Sequence, residues 1–217
     1  MDFAAYAVTA IAAYLLGSIP TGYLVGKAKG VDIRKVGSGN IGATNVFRFL
    51  GKTAGIFVLL ADALKGWAAV WGMAPFMADH LFPPGSPGGA REWLAIVAGI
   101  FAILGHNYTC WLQFRGGKGI ATTAGVLVAL VPQALLAGLA VWIVVFAVGR
   151  YVSLASIVAA AVLPFAVWLT RGTPTLIVIT ACLGALAIYR HKGNIQRLLN
   201  GTENRSGLKK PRNETTT

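Results

Sequence analysis

Acidic residues are scarce in this chain. Its 217 residues contain 7 Asp and Glu against 19 Lys and Arg, and charged residues of either sign make up 12% of the sequence. A typical soluble domain carries about 25% charged residues, so this is not the composition of a soluble globular protein. Cysteine is scarcer still: Cys110 and Cys182 lie in apolar runs, in neither a CxxC pair nor a metal-binding spacing. We therefore expect no disulfide framework and no metal site.

Apolar residues are abundant instead, at 56% of the chain, and the mean hydropathy is +0.66. A bilayer core of about 30 Å needs about 20 apolar residues per helix, and most of the uncharged runs reach this length. They lack the alternation of a transmembrane β-strand, which leaves helices as the spanning elements. The sequence predicts an all-α polytopic membrane protein with apolar runs at 3–26, 53–78 (interrupted by Asp62 and Lys65), 93–114, 120–149, 151–170 and 172–189.

The charges of the loops determine the predicted topology. If 120–149 formed one helix there would be six spans, and the basic C-terminal residues would lie outside, against the positive-inside rule. A break near Val131-Pro132, where proline disfavours helix in the preceding residue, gives seven spans. All Lys and Arg except Lys65, Arg91 and Arg171 then lie in the cytoplasm. We predict seven transmembrane helices with an external N-terminus, and with the C-terminus and the polar clusters on the cytoplasmic side.

The net charge of +12 does not indicate a nucleic-acid partner. The basic residues sit in the loops between apolar runs, where orientation in a membrane requires them. The first run follows Asp2 rather than a basic region, so a cleavable signal peptide is not expected.

The segment Arg115-Gly-Gly-Lys-Gly119 separates two of the apolar runs. Glycines let a backbone approach an anion closely, and the N–H groups that open the next helix, together with Lys118, supply positive potential. It is not a Walker A loop, because Gly119 rather than Ser or Thr follows Lys118. The segment predicts an anion-binding loop, and a flexible basic turn is the alternative.

A second polar cluster precedes Arg48. Of residues 37–45, all except Ile41 are small or polar, which is more than turn chemistry requires. The guanidinium of Arg48 is a planar fork suited to phosphate oxygens. This cluster predicts a ligand-binding loop.

Two further groups of polar residues stand in or beside apolar runs. Asp62 and Lys65 are three residues apart, on one helix face. An ionised residue at mid-bilayer costs roughly 2.5–3.5 kcal/mol, so we predict a neutralised pair that supports packing, with Lys65 a candidate substrate contact. His191 and Asn194 fall on one side of a helix and are predicted to reach a common ligand; a basic tail attracted to anionic lipid is the alternative.

Together the three clusters, at 37–45, 105–122 and 191–203, resemble the bacterial acyl-phosphate:glycerol-3-phosphate acyltransferase family, PlsY. The element Asp62-Ala-Leu-Lys-Gly66 also fits that family. The resemblance covers residues 3–203. It implies one integral-membrane acyltransferase domain over 1–203, and the polar composition of 204–217 predicts a disordered cytoplasmic tail.

Membership implies that a fatty acyl group passes from acyl phosphate to the sn-1 hydroxyl of glycerol 3-phosphate. The products are lysophosphatidic acid and inorganic phosphate, formed at the bacterial cytoplasmic (inner) membrane for phospholipid synthesis. The implied partners are the two phosphorylated substrates and membrane lipid, with no cofactor and no metal. Whether a soluble acyl-phosphate synthase docks on the cytoplasmic face stays open.

The candidate site residues come from these clusters. Ser38, Lys118 and His191 are the predicted catalytic residues, and Asp62 and Glu203 are predicted as structural support. The predicted substrate-binding residues are Gly37, Gly39, Asn40, Thr44, Asn45, Arg48, Lys65, His106, Asn107, Gly116, Gly117, Gly119, Asn194 and Arg197.

The group that takes the hydroxyl proton stays open at this point. His106 and His191 are candidate bases, but an acyl phosphate carries basic oxygens of its own, and we favour substrate-assisted proton removal with His191 binding and orienting. The His-x4-Asp pair of acyl-CoA-type glycerolipid acyltransferases is absent, since Trp111 and Gln196 stand five positions after the two histidines. His106 is equally a candidate structural hydrogen-bonding group.

Two other classes of function compete with an enzyme. A transporter with glycine-broken helices and a basic cavity would need ligand groups near mid-membrane, whereas only Asp62 and Lys65 lie deep. A lipid-binding scaffold without catalysis would have no need of Ser38 or Lys118.

Overall fold

The computed structural model describes residues 2–82, 88–170 and 173–206. The segment 83–87, Arg171 and the tail from 207 onward lie outside these ranges. Within them every regular element is helical, which confirms the all-α prediction. The α-helices are α1 (Asp2–Ser18), α2 (Thr21–Ala28), α3 (Ala43–Leu50), α4 (Lys52–Trp67), α5 (Ala74–Leu81), α6 (Gly88–Asn107), α7 (Ile120–Leu130), α8 (Pro132–Gly149), α9 (Val152–Thr170), α10 (Pro174–Arg190) and α11 (Lys192–Leu199).

Five helical segments of the described chain are long and apolar enough to cross a membrane. They are Phe3–Ala28, Lys52–Leu81, Gly89–Leu112, Pro132–Gly149 and Val152–Thr170. The bent pair α10 and α11 is a sixth if it counts as one span. The one remaining predicted span, fourth in chain order, corresponds to α7. This helix has 11 residues, fewer than the roughly 20 that a bilayer core requires.

The predicted break between two short helices is present. α7 ends at Leu130 and α8 begins at Pro132, with Val131 between them in a non-helical conformation. Proline disfavours helix in the residue before it, which accounts for the position of the break. The number of spans and the orientation stay predictions.

The first span is broken by Pro20, which lacks an N–H and ends the helix before it. The carbonyl groups at the break find donors on α4 and on the segment that follows α6. Thr109 Oγ1 donates to the Ser18 carbonyl at 2.6 Å, and Lys65 Nζ donates to the Ile19 carbonyl at 2.9 Å. Because unpaired backbone groups are costly in lipid, these contacts fix where the chain bends.

The predicted pair of Asp62 and Lys65 lies at the same place. Lys65 Nζ is 2.9 Å from Asp62 Oδ1, and both side chains are almost fully buried. Thr21 Oγ1 donates to Asp62 Oδ1 at 3.1 Å, and His106 Nδ1 lies 3.6 Å from the same oxygen. These contacts connect α2, α4 and α6 through the carboxylate of Asp62.

The helices pack through three large apolar clusters. One joins α1, α5 and α6 around Ala13, Ala74 and Leu94, and a second joins α6 to α10 around Leu127 and Val167. The third consists of Ile33, Ile41, Val46, Ala54, Val58 and Leu112. It anchors the loop before α3 to α4 and to the turn that follows α6. Large apolar side chains also face outward, among them Trp71, Leu136 and Val148, as expected of a surface in contact with lipid.

Small residues let α4 and α7 approach each other closely. Gly125 lies against the Ala63 carbonyl, and Gly66 lies against the Thr122 carbonyl, so that a Cβ at either glycine would overlap a backbone oxygen. Such contacts are common where transmembrane helices pack, because small residues permit close backbone approach.

The substitution Gly125→Ala is expected to destabilise the fold by about 1–3 kcal/mol, the usual cost of overpacking. The matched control is Gly138→Ala, because a Cβ at Gly138 meets no heavy atom within 4 Å. Thermal unfolding of the two purified variants in one detergent measures the difference. Equal midpoints would show that α4 and α7 are not in close contact.

Candidate active site

Three segments build the site: the first loop (residues 37–45), the glycine loop (residues 115–119) and the break between α10 and α11. The first loop is folded around the side chain of Asn45, which is 3% exposed. Its Oδ1 accepts a hydrogen bond from Ser38 N at 3.1 Å. Its Nδ2 donates to the carbonyls of Ile33, Val36 and Asn40 at 3.1, 3.1 and 3.0 Å. The side chain of Asn45, a predicted substrate-binding residue, is thus engaged with backbone groups of the loop and of the segment just before it.

The rest of the first loop presents polar groups outward. Ser38 and Thr44 are exposed, and Gly37 and Gly39 adopt positive φ. Asn40 Oδ1 accepts a hydrogen bond from Gly42 N at 2.8 Å, which closes the turn before α3. Asn45 therefore shapes the loop from within, and Ser38 stands on its surface.

The glycine loop folds back onto the end of α6. Gly116 N donates to the Asn107 carbonyl at 3.1 Å, and Gly117 N donates to the His106 carbonyl at 2.9 Å. A Cβ at Gly117 would overlap the His106 imidazole, so only glycine permits this approach. Gly119, at φ +79°, caps α7 in a left-handed conformation that glycine adopts without strain.

Two predicted binding residues lie beneath the glycine loop instead of on its surface. His106 is 5% exposed and Asn107 is 1% exposed. The backbone carbonyls of both hold the loop, which favours the structural alternative for His106. Lys65 is likewise buried, and its ammonium is engaged with Asp62 and the Ile19 carbonyl.

The backbone is strained just before the glycine loop. Gln113 and Phe114 have φ of 55° and 60°, values that are uncommon for residues other than glycine. Strain of this kind persists only where surrounding structure enforces it, and it clusters at functional sites. The sequence carried no signal for it, since neither residue type favours this conformation.

The break after α10 presents His191 and Asn194, which are 3% and 6% exposed. His191 Nδ1 lies 2.7 Å from the Ala187 carbonyl. That carbonyl requires a proton on Nδ1, so in the neutral ring Nε2 is the acceptor. α11 is bent by 58° from α10 and carries Lys192 and Arg197, and we place the end of the apolar span at Arg190.

Side-chain hydrogen bonds connect the glycine loop to the polar cluster at residues 191–203. Lys118 Nζ donates to Asn194 Oδ1, and Asn194 Nδ2 donates to Glu203 Oε1 at 2.9 Å. Glu203 also accepts from Arg197 Nε at 2.8 Å and from Ser153 Oγ at 3.0 Å. Residues far apart in the chain are thus joined around one carboxylate.

Arg48, on the α3 helix that follows the first loop, completes this group of charged residues. Its Nη2 donates to the Asn204 carbonyl at 3.3 Å. Arg48, Arg190 and Arg197 all act electrostatically on Lys118, against the single opposing charge of Glu203. We call these five residues the cationic cluster; its four positive charges exceed its one negative charge by three.

The cluster shifts the protonation of its members. Burial lowers the pKa of Lys118 to about 8; Glu203 opposes the shift, and the neighbouring arginines add to it. Burial, and then the charge of Lys118, lowers the pKa of His191 to about 4. Burial raises the pKa of Glu203, but hydrogen bonds from Asn194, Arg197 and Ser153 outweigh it and the net shift is downward. At neutral pH Lys118 is therefore mostly charged, His191 neutral and Glu203 ionised.

A cleft of about 450 Å³ brings the first loop beside the glycine loop. Gly39 lines it on one side, and Arg115, Gly116 and Arg190 line it on the other. All three sequence clusters therefore meet in one region of the fold.

Sequence reasoning missed two residues of this region. Arg190 binds the carbonyls of Gly116 and Gly117, and Ser153 binds Glu203 from the start of α9. Arg190 carried the weak signal of standing next to His191, but its partners are backbone groups, which no side-chain pattern reveals. Ser153 lies in the apolar run 151–170, where the sequence indicated no titratable group that could take part in a site.

The predicted polar tail begins at 204, but contacts continue past this point. Arg205 Nε donates to the Gly149 carbonyl at 3.2 Å, and Ser206 N donates to the Arg150 carbonyl at 2.8 Å. This segment crosses the junction of α8 and α9 and holds Glu203 in the cluster. The remainder of the tail lies outside the described residues.

Comparisons with known proteins agree on one family. The family model described as glycerol-3-phosphate acyltransferase matches residues 7–201. The glycerol-3-phosphate acyltransferase of Geotalea daltonii is 49% identical over 197 residues, or 91% of this chain and 95% of that protein. That of Methylobacillus flagellatus is 48% identical over 206 residues, or 94% and 98%.

Two crystal structures of PlsY, an integral membrane glycerol 3-phosphate acyltransferase, share the fold. The glycerol 3-phosphate form superposes with a TM-score of 0.81 at 42% identity, covering 93% of this chain and 96% of that chain. The lysophosphatidic acid form gives 0.78 at 40% identity, with 92% and 94% covered.

The low pKa of Lys118 is testable without substrate. Acetic anhydride attacks only the uncharged amine. The rate of Lys118 acetylation, measured by peptide mass spectrometry across a pH series, should therefore show a midpoint near pH 8. Glu203→Gln should lower the midpoint further, because the carboxylate favours the charged amine. A midpoint at the ordinary value of 10.5, or no response to Glu203→Gln, would contradict this account of the cationic cluster.

Proposed function

The chain belongs to the glycerol-3-phosphate acyltransferase family, and on that premise we propose that it transfers a fatty acyl group from an acyl phosphate to the sn-1 hydroxyl of glycerol 3-phosphate. The products are lysophosphatidic acid and inorganic phosphate. The chain is an integral-membrane acyltransferase, so the acyl donor, the acceptor hydroxyl and the roles of single residues are what the proposal adds.

The observation that carries the proposal is the charge surplus of the cationic cluster. Four positive charges gathered around one carboxylate repel one another, and anions that join them relieve this repulsion. Both proposed substrates bear phosphate, so the complex brings the missing negative charge. An acyl phosphate also places its phosphate next to the reacting carbonyl, which suits a site where two anions are held side by side.

In the proposed step the hydroxyl oxygen of glycerol 3-phosphate attacks the acyl carbon of the acyl phosphate. A new C–O ester bond forms, the C–O bond to phosphate breaks, and the hydroxyl proton passes to a phosphate oxygen of the donor. Holding the two substrates together supplies much of the rate by removing the entropic cost of their encounter. We assign to Ser38 and Lys118 the donors that stabilise the oxyanion at the carbonyl.

The state of His191 fits this scheme. Neutral and held through Nδ1 by the Ala187 carbonyl, it offers Nε2 as an acceptor for the other, non-reacting hydroxyl of glycerol 3-phosphate. A pKa of about 4 makes it a weak base, which supports proton removal by the donor phosphate, with His191 binding and orienting the acceptor substrate.

An apolar groove offers a path for the acyl chain. It lies between α4 and α7, has a volume of about 450 Å³, and is lined by Phe57, Leu60, Ala61, Ala63, Leu64, Trp67, Gly125 and Val128. Gly125 is six residues beyond Gly119, which is about 9 Å along the helix. In the proposed complex the acyl chain lies in this groove, with its head group toward the end of α7 that follows Lys118.

The polar groups of the site stand at helix ends, which disfavours a carrier. Lys118 precedes α7, His191 follows α10 and Glu203 follows α11. A carrier holds its ligand near the bilayer midplane with access from both faces. We propose instead that residues 1–203 form a single seven-span domain in the bacterial inner membrane, with the site in the cytoplasm and the N-terminus outside.

The activity is tested with purified protein, palmitoyl phosphate and labelled glycerol 3-phosphate. Lysophosphatidate should form without coenzyme A or added metal. Ser38→Ala and Lys118→Ala should each reduce the rate by roughly 100-fold or more, the usual cost of losing a transition-state donor. Lys29→Ala, an exposed base beyond α2, serves as the control and should keep the wild-type rate.

Two outcomes would count against this assignment. Product formed from acyl-CoA but not from palmitoyl phosphate would overturn the donor. Full activity in Ser38→Ala and Lys118→Ala would remove both loops from the reaction.

The proposed orientation is tested by labelling single cysteines in intact cells with a membrane-impermeant maleimide. In a background of Cys110→Ala and Cys182→Ala, the exposed positions Ser38→Cys, Arg115→Cys and Lys192→Cys should react only after the cells are opened. His80→Cys, exposed on α5, should react in intact cells. Labelling of the first three positions from different sides would separate the loops and end the proposal.

A further inference from the structure

Arg190, the last residue of α10, makes an unusual set of contacts for a base beside an anion site. Its Nε donates to the Gly117 carbonyl at 3.1 Å, and its Nη2 donates to the same oxygen at 2.8 Å and to the Gly116 carbonyl at 3.2 Å. Its Cζ also lies 4.9 Å from the centroid of the Tyr108 ring. The guanidinium thus lies over an aromatic ring and donates hydrogen bonds to the carbonyls of two successive peptides.

These contacts determine where the next amide points. In a trans peptide the carbonyl oxygen and the following N–H lie in one plane on opposite sides. With the Gly117 carbonyl held by Arg190, the N–H of Lys118 is directed away from Arg190. The preceding plane is held from both ends, because the Gly116 carbonyl binds Arg190 and Gly117 N donates to the His106 carbonyl at 2.9 Å.

The glycine loop needs such a clamp because its own sequence does not fix it. Adjacent glycines reach many more backbone conformations than other residues, so Lys118 follows two intrinsically loose positions. The loop cannot gain stiffness from a side chain at Gly117, since a Cβ there would overlap His106. Arg190 closes the loop on the side opposite His106.

We propose that Arg190 is a positioning residue, whose guanidinium fixes the peptide planes of Gly116 and Gly117 and so orients the amide and side chain of Lys118 toward the substrates. This inference rests on the proposed function. It also links two segments of the site, because Arg190 directly precedes His191 and its placement sets the glycine loop and the α10–α11 break relative to each other.

A direct contact between Arg190 and a substrate phosphate is the alternative, since Arg190 also lines the cleft beside Gly39. The two roles differ in what lysine can replace. An ammonium serves well as a point charge for phosphate, but it cannot reproduce a rigid fork that binds two carbonyls and stacks on Tyr108.

The test compares Arg190→Gln and Arg190→Lys in the full-length protein, with palmitoyl phosphate and glycerol 3-phosphate as substrates. The matched control is Lys192→Gln, a nearby exposed base whose ammonium lies over the Tyr189 ring. We expect kcat/KM to fall roughly 100-fold in Arg190→Gln, the scale of loss for a displaced catalytic group, and at least about 10-fold in Arg190→Lys. Lys192→Gln should stay within about 2-fold of wild type.

A second measurement separates positioning from folding and from independent binding. A fold defect lowers the active fraction and leaves KM unchanged, whereas a displaced loop changes KM for a phosphorylated substrate. Lys118→Arg should cost far less in the Arg190→Gln background than in wild type, because both substitutions disturb one loop and their effects couple.

Three results would overturn the inference: Arg190→Lys within about 3-fold of wild type, additive effects with Lys118→Arg, or lost activity with unchanged KM. The first would assign a direct charge contact and the last a structural role alone. An inactive wild-type protein would refute the proposed function, whereas an active wild type with an unaffected Arg190→Gln would refute only the positioning role.

Discussion

Unpaired polar groups are costly in the low-dielectric interior of a membrane bundle, and the ammonium of Lys65 shows how this fold meets that cost. It pairs with Asp62 and also donates to the Ile19 carbonyl that the Pro20 break sets free. Thr109 does the same for Ser18. The bend of the first span, which carries the chain toward the first loop, is therefore held by side chains from α4 and from the segment after α6. The glycine loop then starts from the same end of α6, through the carbonyls of His106 and Asn107.

The cationic cluster follows the opposite logic. Its positive groups are gathered at helix ends, where water and charged substrates can reach them, and among the described residues Glu203 alone offsets them. Burial, together with the surplus of positive charge, keeps His191 neutral and makes Lys118 easier to deprotonate. A site of this kind is electrostatically incomplete by itself and favours ligands that bring negative charge. The segment 204–206, bound to the junction of α8 and α9, holds the one carboxylate in place.

The sequence predicted the helical membrane fold, the break at Val131, the pair of Asp62 and Lys65, and the polar clusters that the structure brings together. The predicted number of spans and the predicted orientation rest on loop charge alone, because α7 is too short for its length to show whether it crosses the bilayer. The sequence did not separate residues that face a ligand from residues that hold the backbone. Asn45, His106 and Asn107 have the polar character of ligand-binding groups, yet each is buried and holds a loop. Arg190 and Ser153 went unnoticed because their partners are backbone carbonyls or a distant carboxylate.

Composition and periodic apolar runs act over short stretches of chain, so the sequence by itself determined that the chain is helical, lies in a membrane, and concentrates glycine and basic residues between spans. Family membership was likewise legible in local motifs. Which of those residues meet was decided only by the tertiary structure, because Arg48, Lys118 and the pair of Asn194 and Glu203 come from three separate segments. Their common position depends on how α4, α6, α7 and α10 pack, and packing depends on contacts between residues that are distant in the chain.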